Sequence, residues 1–184
     1  YAIAVSSGTA ALELVLEALD VRGGEVVVPA LTWPSPAHAA IRAGARVSLA
    51  DVDRDEWNAT PDALRAAVGE DTRAIVAIDQ FGAPARLEEL VRSVAGRVPI
   101  VEDAACAIGS TLGERPCGSF GIASCLSFHP RKVLTTGEGG MVLTDDAALA
   151  SRVRQLRNHG QSAPGVFAEA GPNLRLGELA AALG

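Results

Sequence analysis

The sequence alternates between short, almost fully apolar runs and longer segments of helical character. Apolar runs rich in valine and isoleucine are typical of strands that are buried on both faces of a sheet. The predicted strands cover residues 25–28, 47–49, 74–78, 99–101, 122–128 and 140–144. The predicted helices cover residues 10–19, 36–43, 61–68, 87–95, 147–158 and 175–183. This alternation predicts an α/β fold, with a mostly parallel sheet and helices on both of its faces.

Length and composition fit a single domain. The chain has 184 residues, of which 48% are hydrophobic and 21% are charged, as in ordinary globular proteins. It shows no linker, internal repeat or low-complexity segment, so we interpret residues 1–184 as one domain. The first residue is Tyr1 rather than Met, and Gly184 lies inside a predicted helix. We therefore expect the chain to be part of a longer protein, cut at both ends.

Charge and cysteine content argue against several classes of function. The net charge is -6 and no basic run is present, which disfavours binding to a nucleic-acid backbone. No apolar stretch approaches the length of a membrane span. Cys106, Cys117 and Cys125 are widely spaced and form no CxxC pair, so we expect neither a zinc site nor a disulfide framework. The histidines also lack metal-ligand spacing, and no metal is predicted. A reducing cytoplasm fits this cysteine usage best.

Three segments lie where a parallel sheet places its ligands. In such sheets the binding crevice lies beyond the carboxyl ends of the strands, and residues 6–11, 102–106 and 127–140 fall at such ends. The first segment, SSGTAA, opens a helix with small residues, and the N–H groups of such a helix start favour a phosphate. An ordinary Ser/Thr helix cap is the alternative interpretation of the same residues.

The second segment, VEDAA, places Glu102 and Asp103 at the end of a buried strand. A buried carboxylate is costly unless it meets a cation or strong hydrogen-bond donors. A protonated pyridine nitrogen would be such a partner. The alternative is that Asp103 caps a following helix.

The third segment, SFHPRKVLTTGEGG, contains Lys132 between a strand and a glycine-rich turn, in a chain where lysine is rare. The glycines permit positive φ angles and a close approach of the backbone to a bound group. Lys132 could form an imine with an aldehyde if its amine is partly neutral. An exposed lysine in a hairpin turn is the alternative. The segment is neither a dinucleotide fingerprint, because no helix follows it, nor a P-loop, because it lacks Gly-Lys-Ser/Thr.

Taken in order, these segments resemble the DegT/DnrJ/EryC1/StrS family of pyridoxal-phosphate (PLP)-dependent sugar aminotransferases. The resemblance runs over nearly the whole chain and rests on SSGTAAL, VPALTW, DVD, IVAIDQFGAPA, VEDAACAIG, SFHPRKVLTTGEGGMV, RNHG and GPNLRLGELAAALG. It implies the type I aminotransferase fold. Residues 1–184 would then be the PLP-binding large domain, without the first segment and the C-terminal small domain of full chains.

The resemblance also implies roles for individual residues. Lys132 matches the lysine that forms a Schiff base with PLP, and Asp103 matches the acid that keeps the pyridine nitrogen protonated; both are predicted catalytic residues. Trp33 matches the aromatic residue that stacks on the cofactor ring. The other predicted cofactor contacts are the phosphate cradle of Gly8, Thr9 and Ala10 with Ser127, then Cys106, and finally Asn173 and Arg175. In this family the segment of Asn173 and Arg175 reaches the partner subunit's site, which implies a homodimer with shared active sites.

Cys106 departs from the family pattern. The family usually has His or Gln at this position, close to the cofactor ring and its phenolic oxygen. A thiol is a weak hydrogen-bonding substitute. The proton affinity of the cofactor could therefore differ in this protein, or Gln80 could compensate.

The resemblance implies transfer of an amino group from glutamate or glutamine to a keto group of a nucleotide-linked sugar, as in polysaccharide or antibiotic sugar biosynthesis. Lys132 would move the proton as general base and acid. Two alternatives stay open. One is PLP-dependent dehydration of a ketosugar on the same fold, which is disfavoured because such relatives replace the lysine with histidine. The other is a non-catalytic PLP-binding regulator or an inactive fragment.

Overall fold

The computed structural model describes residues 1–94 and 96–184. Its strands are β1 (Ala2–Val5), β2 (Glu25–Pro29), β3 (Arg46–Ala50), β4 (Thr72–Ile78), β5 (Ile100–Asp103), β6 (Thr111–Leu112), β7 (Arg115–Pro116), β8 (Ala123–Ser127), β9 (Gly140–Leu143), β10 (Gln161–Ala163) and β11 (Val166–Phe167). Its helices are α1 (Gly8–Ala18), α2 (Ser35–Arg42), α3 (Pro61–Ala66), α4 (Leu87–Val94), α5 (Ala147–Arg157) and α6 (Glu178–Leu183), with a short 3-10 turn at Gln80–Gly82.

Seven strands form one sheet in the order β1-β9-β8-β5-β4-β2-β3. The neighbours β3, β2, β4, β5 and β8 run parallel to one another, and β9 runs antiparallel to both β8 and β1. The predicted mostly parallel α/β sheet is therefore confirmed. Because five of these strands and β1 point the same way, their carboxyl ends meet at one edge of the sheet.

Helices cover both faces of the sheet, as the apolar runs predicted. Successive side chains of a strand point to opposite faces. Val26 and Val28 of β2 accordingly pack with α1, α2 and α5, whereas Val27 between them packs with α3 and α4. All three valines are fully buried. The central strands are thus apolar on both sides, which explains why they read as continuous hydrophobic runs.

Local signals set the starts of the helices. The hydroxyl of Ser7 accepts a hydrogen bond from the N–H of Ala10, so Ser7 caps α1. Thr60 caps α3 in the same way, and Pro61 occupies the first turn, where proline is tolerated. Asp146 caps α5 by accepting from two backbone N–H groups.

The structure differs from the predicted elements in a few places. The hairpins β6–β7 and β10–β11 were missed because their strands have only two or three residues. The predicted helix 175–183 begins only at Glu178, since Gly177 before it is extended. The predicted helix 87–95 is seen as Leu87–Val94, and Ala95 lies outside the described residues.

Within the residues described, the structure contains no helix that combines the length and the apolar character needed to cross a membrane.

Candidate functional site

A cavity of about 580 Å³ opens at the carboxyl edge of the sheet. It is the crevice that the sheet topology predicts for a ligand. Seven of the ten predicted cofactor-binding residues line it, namely Gly8, Thr9, Trp33, Asp103, Cys106, Ser127 and Lys132. A second cavity, of about 630 Å³, lies near the opposite end of β5 and contains none of the predicted residues.

Lys132 is the only lysine of the sequence, and its amine faces the cavity. Its Nζ donates to Sγ of Cys106 over 2.9 Å. Its backbone N–H donates to the carbonyl of His129. The carbonyl of Phe128 accepts from the hydroxyl of Thr135 and from the N–H of Thr136. Lys132 therefore lies in the loop that joins the antiparallel strands β8 and β9, as the alternative interpretation held, but this loop is fixed by hydrogen bonds and places Lys132 at the cavity.

Asp103 ends β5 with its carboxyl group almost fully buried at the cavity. Burial raises the pKa of Asp103 to about 6, against the opposing effects of the Ala105 N–H and the charge of Lys132. Its Oδ1 accepts from the Ala105 N–H over 3.0 Å. No helix follows in residues 104–110, so the alternative role as a helix cap is not observed.

The start of α1 brings several hydrogen-bond donors close together. In the part of the chain described, the N–H groups of Gly8 and Thr9 have no acceptor, and the hydroxyl of Thr9 lies 2.7 Å from that of Ser35. A Cβ atom on Gly8 would lie 2.9 Å from Cβ of Ser127. Glycine at this position thus allows the helix start to approach the Ser127 hydroxyl, and the arrangement suits an anion.

The alternative interpretation of this segment, an ordinary Ser/Thr helix cap, holds for Ser7. The N–H of Ala10 is occupied by the Ser7 hydroxyl, and Ala10 is buried and does not line the cavity. The geometry therefore does not support the predicted phosphate contact of Ala10, whereas it leaves Gly8 and Thr9 available.

Trp33 presents its indole to the cavity from the loop after β2, with 67% of its surface exposed. The guanidinium carbon of Arg131 lies 5.6 Å from the centre of the Trp33 ring, a distance suited to a cation–π contact. A large exposed aromatic side chain of this kind is available to stack on a planar ligand.

Asn173 and Arg175 do not line this cavity. Asn173 forms an isolated β-bridge with Asn158, and the guanidinium of Arg175 donates to the side-chain oxygen of Asn158. Their predicted contact with a partner subunit stays a prediction.

Asp79 is a buried site residue that the sequence analysis missed. It follows β4 directly, lines the cavity, and is only 1% exposed. Its Oδ1 accepts from the Ala85 N–H over 2.8 Å, whereas its buried Oδ2 has no hydrogen-bond partner among residues 1–94 and 96–184. Burial, followed by the negative charge of Glu102, raises the pKa of Asp79 to about 7. The run IVAID has the same pattern as VED, an acid directly after an apolar strand, and this pattern could have identified Asp79.

Glu102 has a structural role instead. Its buried carboxylate accepts from the N–H groups of Gly118 and Phe120 over 2.7 Å and 2.8 Å, and from the hydroxyl of Ser124. Atoms of Asp79, Glu102 and Cys117 approach within 4.8 Å of one another. We assign no metal to this cluster, because Glu102 is already satisfied and burial raises the pKa of Cys117 to about 12, which disfavours a thiolate ligand.

Two glycines of the glycine-rich turn have conformations or contacts that a larger residue could not adopt without strain. A Cβ atom on Gly140 would lie 2.5 Å from the carbonyl carbon and oxygen of Ser7. Glycine at position 140 therefore allows β9 to approach the backbone at the start of α1 closely. Gly137 has a φ of 82°, which glycine adopts without strain.

The fold and cavity define a class of α/β protein in which one edge of a parallel sheet brings together an amine, a buried carboxylate, an exposed indole and the first turn of a helix. The model of the DegT/DnrJ/EryC1/StrS aminotransferase family matches residues 1–184. The chain belongs to this family.

Solved structures agree with this assignment. An aminotransferase from Psychrobacter cryohalolentis is 34% identical, with a TM-score of 0.94 over 100% of this chain and 50% of that protein. DesI, solved in the presence of its TDP-sugar product, is 38% identical, with a TM-score of 0.92 over 100% and 47%. The PLP form of the putative sugar aminotransferase Spr1654 from Streptococcus pneumoniae is 28% identical, with a TM-score of 0.91 over 100% and 53%. The chain thus spans about half the length of these structures.

Proposed function

We propose that residues 1–184 form the cofactor-binding part of a PLP-dependent aminotransferase that moves an amino group from glutamate or glutamine to a keto group of a nucleotide-linked sugar. The observation that carries this proposal is the convergence of Lys132 and the buried Asp103 carboxyl on one cavity that the start of α1 also lines. Family membership supports it, as do the TDP-sugar product of DesI and the PLP form of the pneumococcal protein.

The residues that line the cavity suit PLP in their chemistry. The N–H groups of Gly8 and Thr9 and the hydroxyl of Ser127 would bind the phosphate, because they are donors at a helix start. Trp33 would stack on the ring. Lys132 is the only lysine of the sequence, and its amine would bind the aldehyde carbon of PLP. When bound, PLP supplies an electron sink that makes the proton next to the substrate amine acidic.

Lys132 would also act on protons. As a free amine at the cavity, Lys132 would take a proton from the substrate carbon and return it elsewhere, as general base and acid. Sγ of Cys106, 2.9 Å from Nζ, occupies one side of this amine.

Asp103 would keep the ring nitrogen protonated. Because burial raises the pKa of Asp103 to about 6, the Ala105 N–H and the charge of Lys132 compensate its ionised form only in part. A cationic ring nitrogen beside the carboxylate would complete that compensation. The same pairing would hold positive charge on the ring, where it favours the withdrawal of electrons.

We further propose a homodimer in the cytoplasm. Asn173 and Arg175 lie in the exposed segment before α6 and outside the cavity of their own chain. That placement fits a contact with the cavity of a partner subunit.

The experiment that tests the function is a half-reaction with the purified full-length protein. We expect PLP-loaded protein to release 2-oxoglutarate from glutamate and to accumulate the pyridoxamine form until a keto-sugar nucleotide is added. Lys132→Ala should release none, while the exposed-site control Arg54→Ala should behave as wild type. Absence of 2-oxoglutarate with glutamate as donor, together with absence of 2-oxoglutaramate with glutamine as donor, would favour the regulator. Consumption of the ketosugar without nitrogen transfer would favour the dehydratase.

A further inference from the structure

Cys106 and Lys132 form a thiol–amine pair inside the cavity. Nζ of Lys132 lies 2.9 Å from Sγ of Cys106, although the residues are 26 positions apart in the sequence. Both residues line the cavity, and Cys106 is exposed. No atom fits between the two groups at this distance, so the sulfur and the nitrogen need only a small movement to bond.

The other cysteines are unsuited to such chemistry. Cys117 and Cys125 are 9% and 1% exposed, and burial raises the pKa of both thiols, that of Cys117 to about 12. A protonated, buried thiol reacts slowly with oxidants. Among the described residues, Cys106 is therefore the one free thiol that a solute can reach. Lys132 is the only lysine it could meet in this sequence.

We propose that Cys106 is an oxidative modification site at which a peroxide drives a covalent Sγ–Nζ bond to Lys132. In the first step the sulfur attacks one peroxide oxygen, the O–O bond breaks, and the thiol becomes a sulfenic acid as the peroxide is reduced to water. In the second step the neutral amine of Lys132 attacks this sulfur. The S–N bond forms, the S–O bond breaks, and the hydroxyl leaves with a proton of the amine as water. Thiol, amine and hydrogen peroxide thus give one sulfenamide and two waters.

The consequence concerns cofactor loading. A sulfenamide occupies Nζ, so Lys132 can no longer hold an aldehyde. Conversely, an Nζ that already holds the cofactor is not free to attack the oxidised sulfur. Oxidation should therefore lock the cofactor-free protein and spare the loaded one. This consequence rests on the proposed function, whereas formation of the bond itself does not.

The test treats cofactor-free full-length protein with hydrogen peroxide and measures its mass before and after dithiothreitol. The expected product lacks two hydrogen atoms, maps to a peptide that joins Cys106 to Lys132, and reverts with dithiothreitol. Cys106→Ser and Lys132→Gln should not form it, whereas Cys117→Ala should, with circular dichroism to confirm that each variant folds. Addition of oxygen to Cys106 with Lys132 unmodified in wild type would overturn the proposal, as would a disulfide in place of the mixed peptide.

A second readout separates this proposal from the proposed function. PLP loading, followed by visible absorbance, should be lost on oxidation and restored by dithiothreitol. If the linked peptide forms but loading is unchanged, the cross-link stands and the role of Lys132 in holding PLP fails. If PLP loads normally and no linked peptide forms under peroxide, the cross-link fails and the proposed function stands.

Discussion

The backbone N–H of Asp79 donates to the carbonyl oxygen of Asp103 over 3.1 Å. This hydrogen bond continues the parallel register of β4 and β5 by one residue, so a buried acid stands at the carboxyl end of each strand and lines the same cavity. Burial is the largest cause of the raised pKa of each carboxyl group. Ionisation of either carboxyl group is therefore unfavourable at this buried position, and a bound cation would offset that cost.

Asp79→Asn should change the pH dependence of stability in the cofactor-free protein. The pKa of Asp79 is about 7 in the folded state against an ordinary 3.8, so the folded state binds the proton more tightly. Stability from this group is complete below about pH 4 and is lost as the pH rises to about 7. The variant keeps an acceptor for the Ala85 N–H but no longer ionises. We expect it to gain roughly 1–3 kcal/mol over wild type at pH 8, from denaturant unfolding.

Asp145→Asn is the matched control for this change, because Asp145 is exposed. It should follow wild type at every pH. An Asp79→Asn profile with the same decline as wild type between acid and neutral pH would contradict the assignment.

Asp103→Asn should separate cofactor attachment from chemistry. The neutral amide can still accept from the Ala105 N–H, and Lys132 is unchanged, so PLP should still attach. Without the carboxylate the ring nitrogen loses its partner, and kcat of the half-reaction should fall on the order of a hundredfold or more. Single-turnover absorbance would measure this fall. Retention of wild-type kcat would show that Asp103 does not face the cofactor.

Glu102→Gln should destabilise the fold rather than the chemistry. The amide would turn an NH₂ group towards one of the donors that the carboxylate now accepts from, such as the N–H groups of Gly118 and Phe120. Loss of a buried charged acceptor costs about 2–4 kcal/mol. The midpoint of denaturant unfolding would report it, with the exposed Glu114→Gln as the control. Equal midpoints for both variants would refute a structural role.

Gly8→Ala should weaken PLP binding by forcing the start of α1 away from Ser127. Its Cβ would lie 2.9 Å from that of Ser127, closer than real contacts allow, so one element must shift. We expect a loss of about 1–3 kcal/mol in stability and roughly a tenfold weaker PLP affinity in absorbance titrations. Gly69→Ala, where an added Cβ meets no atom within 4 Å, is the control. Unchanged affinity in Gly8→Ala would argue against the phosphate cradle.

The sequence was informative at three of the strand ends that carry polar residues, although Asp79 after β4 was missed. The apolar runs predicted the buried parallel strands, and the polar residues after them predicted that Gly8, Asp103 and Lys132 would share a crevice. Topology alone produces this result, since parallel strands end at one edge. The hairpins β6–β7 and β10–β11 were beyond this reasoning, because two or three residues carry no periodicity.

Side-chain partners could not be predicted in the same way. The contact of Lys132 with Cys106 depends on how two loops pack, and the three donors to Glu102 come from a segment 16 to 22 residues further along the chain. The glycines of residues 127–140 predicted a close backbone approach, but not that Gly140 makes this approach to the backbone of Ser7. In each case the decisive neighbour is distant in sequence.

The most direct test of the central claim is the visible absorbance of the full-length protein after incubation with PLP and removal of unbound cofactor. If Lys132 holds the aldehyde, wild type should carry a visible band that Lys132→Ala lacks while retaining a folded circular dichroism spectrum. If wild type and Lys132→Ala are equally colourless, or carry the same band, Lys132 does not attach the cofactor and the account is wrong.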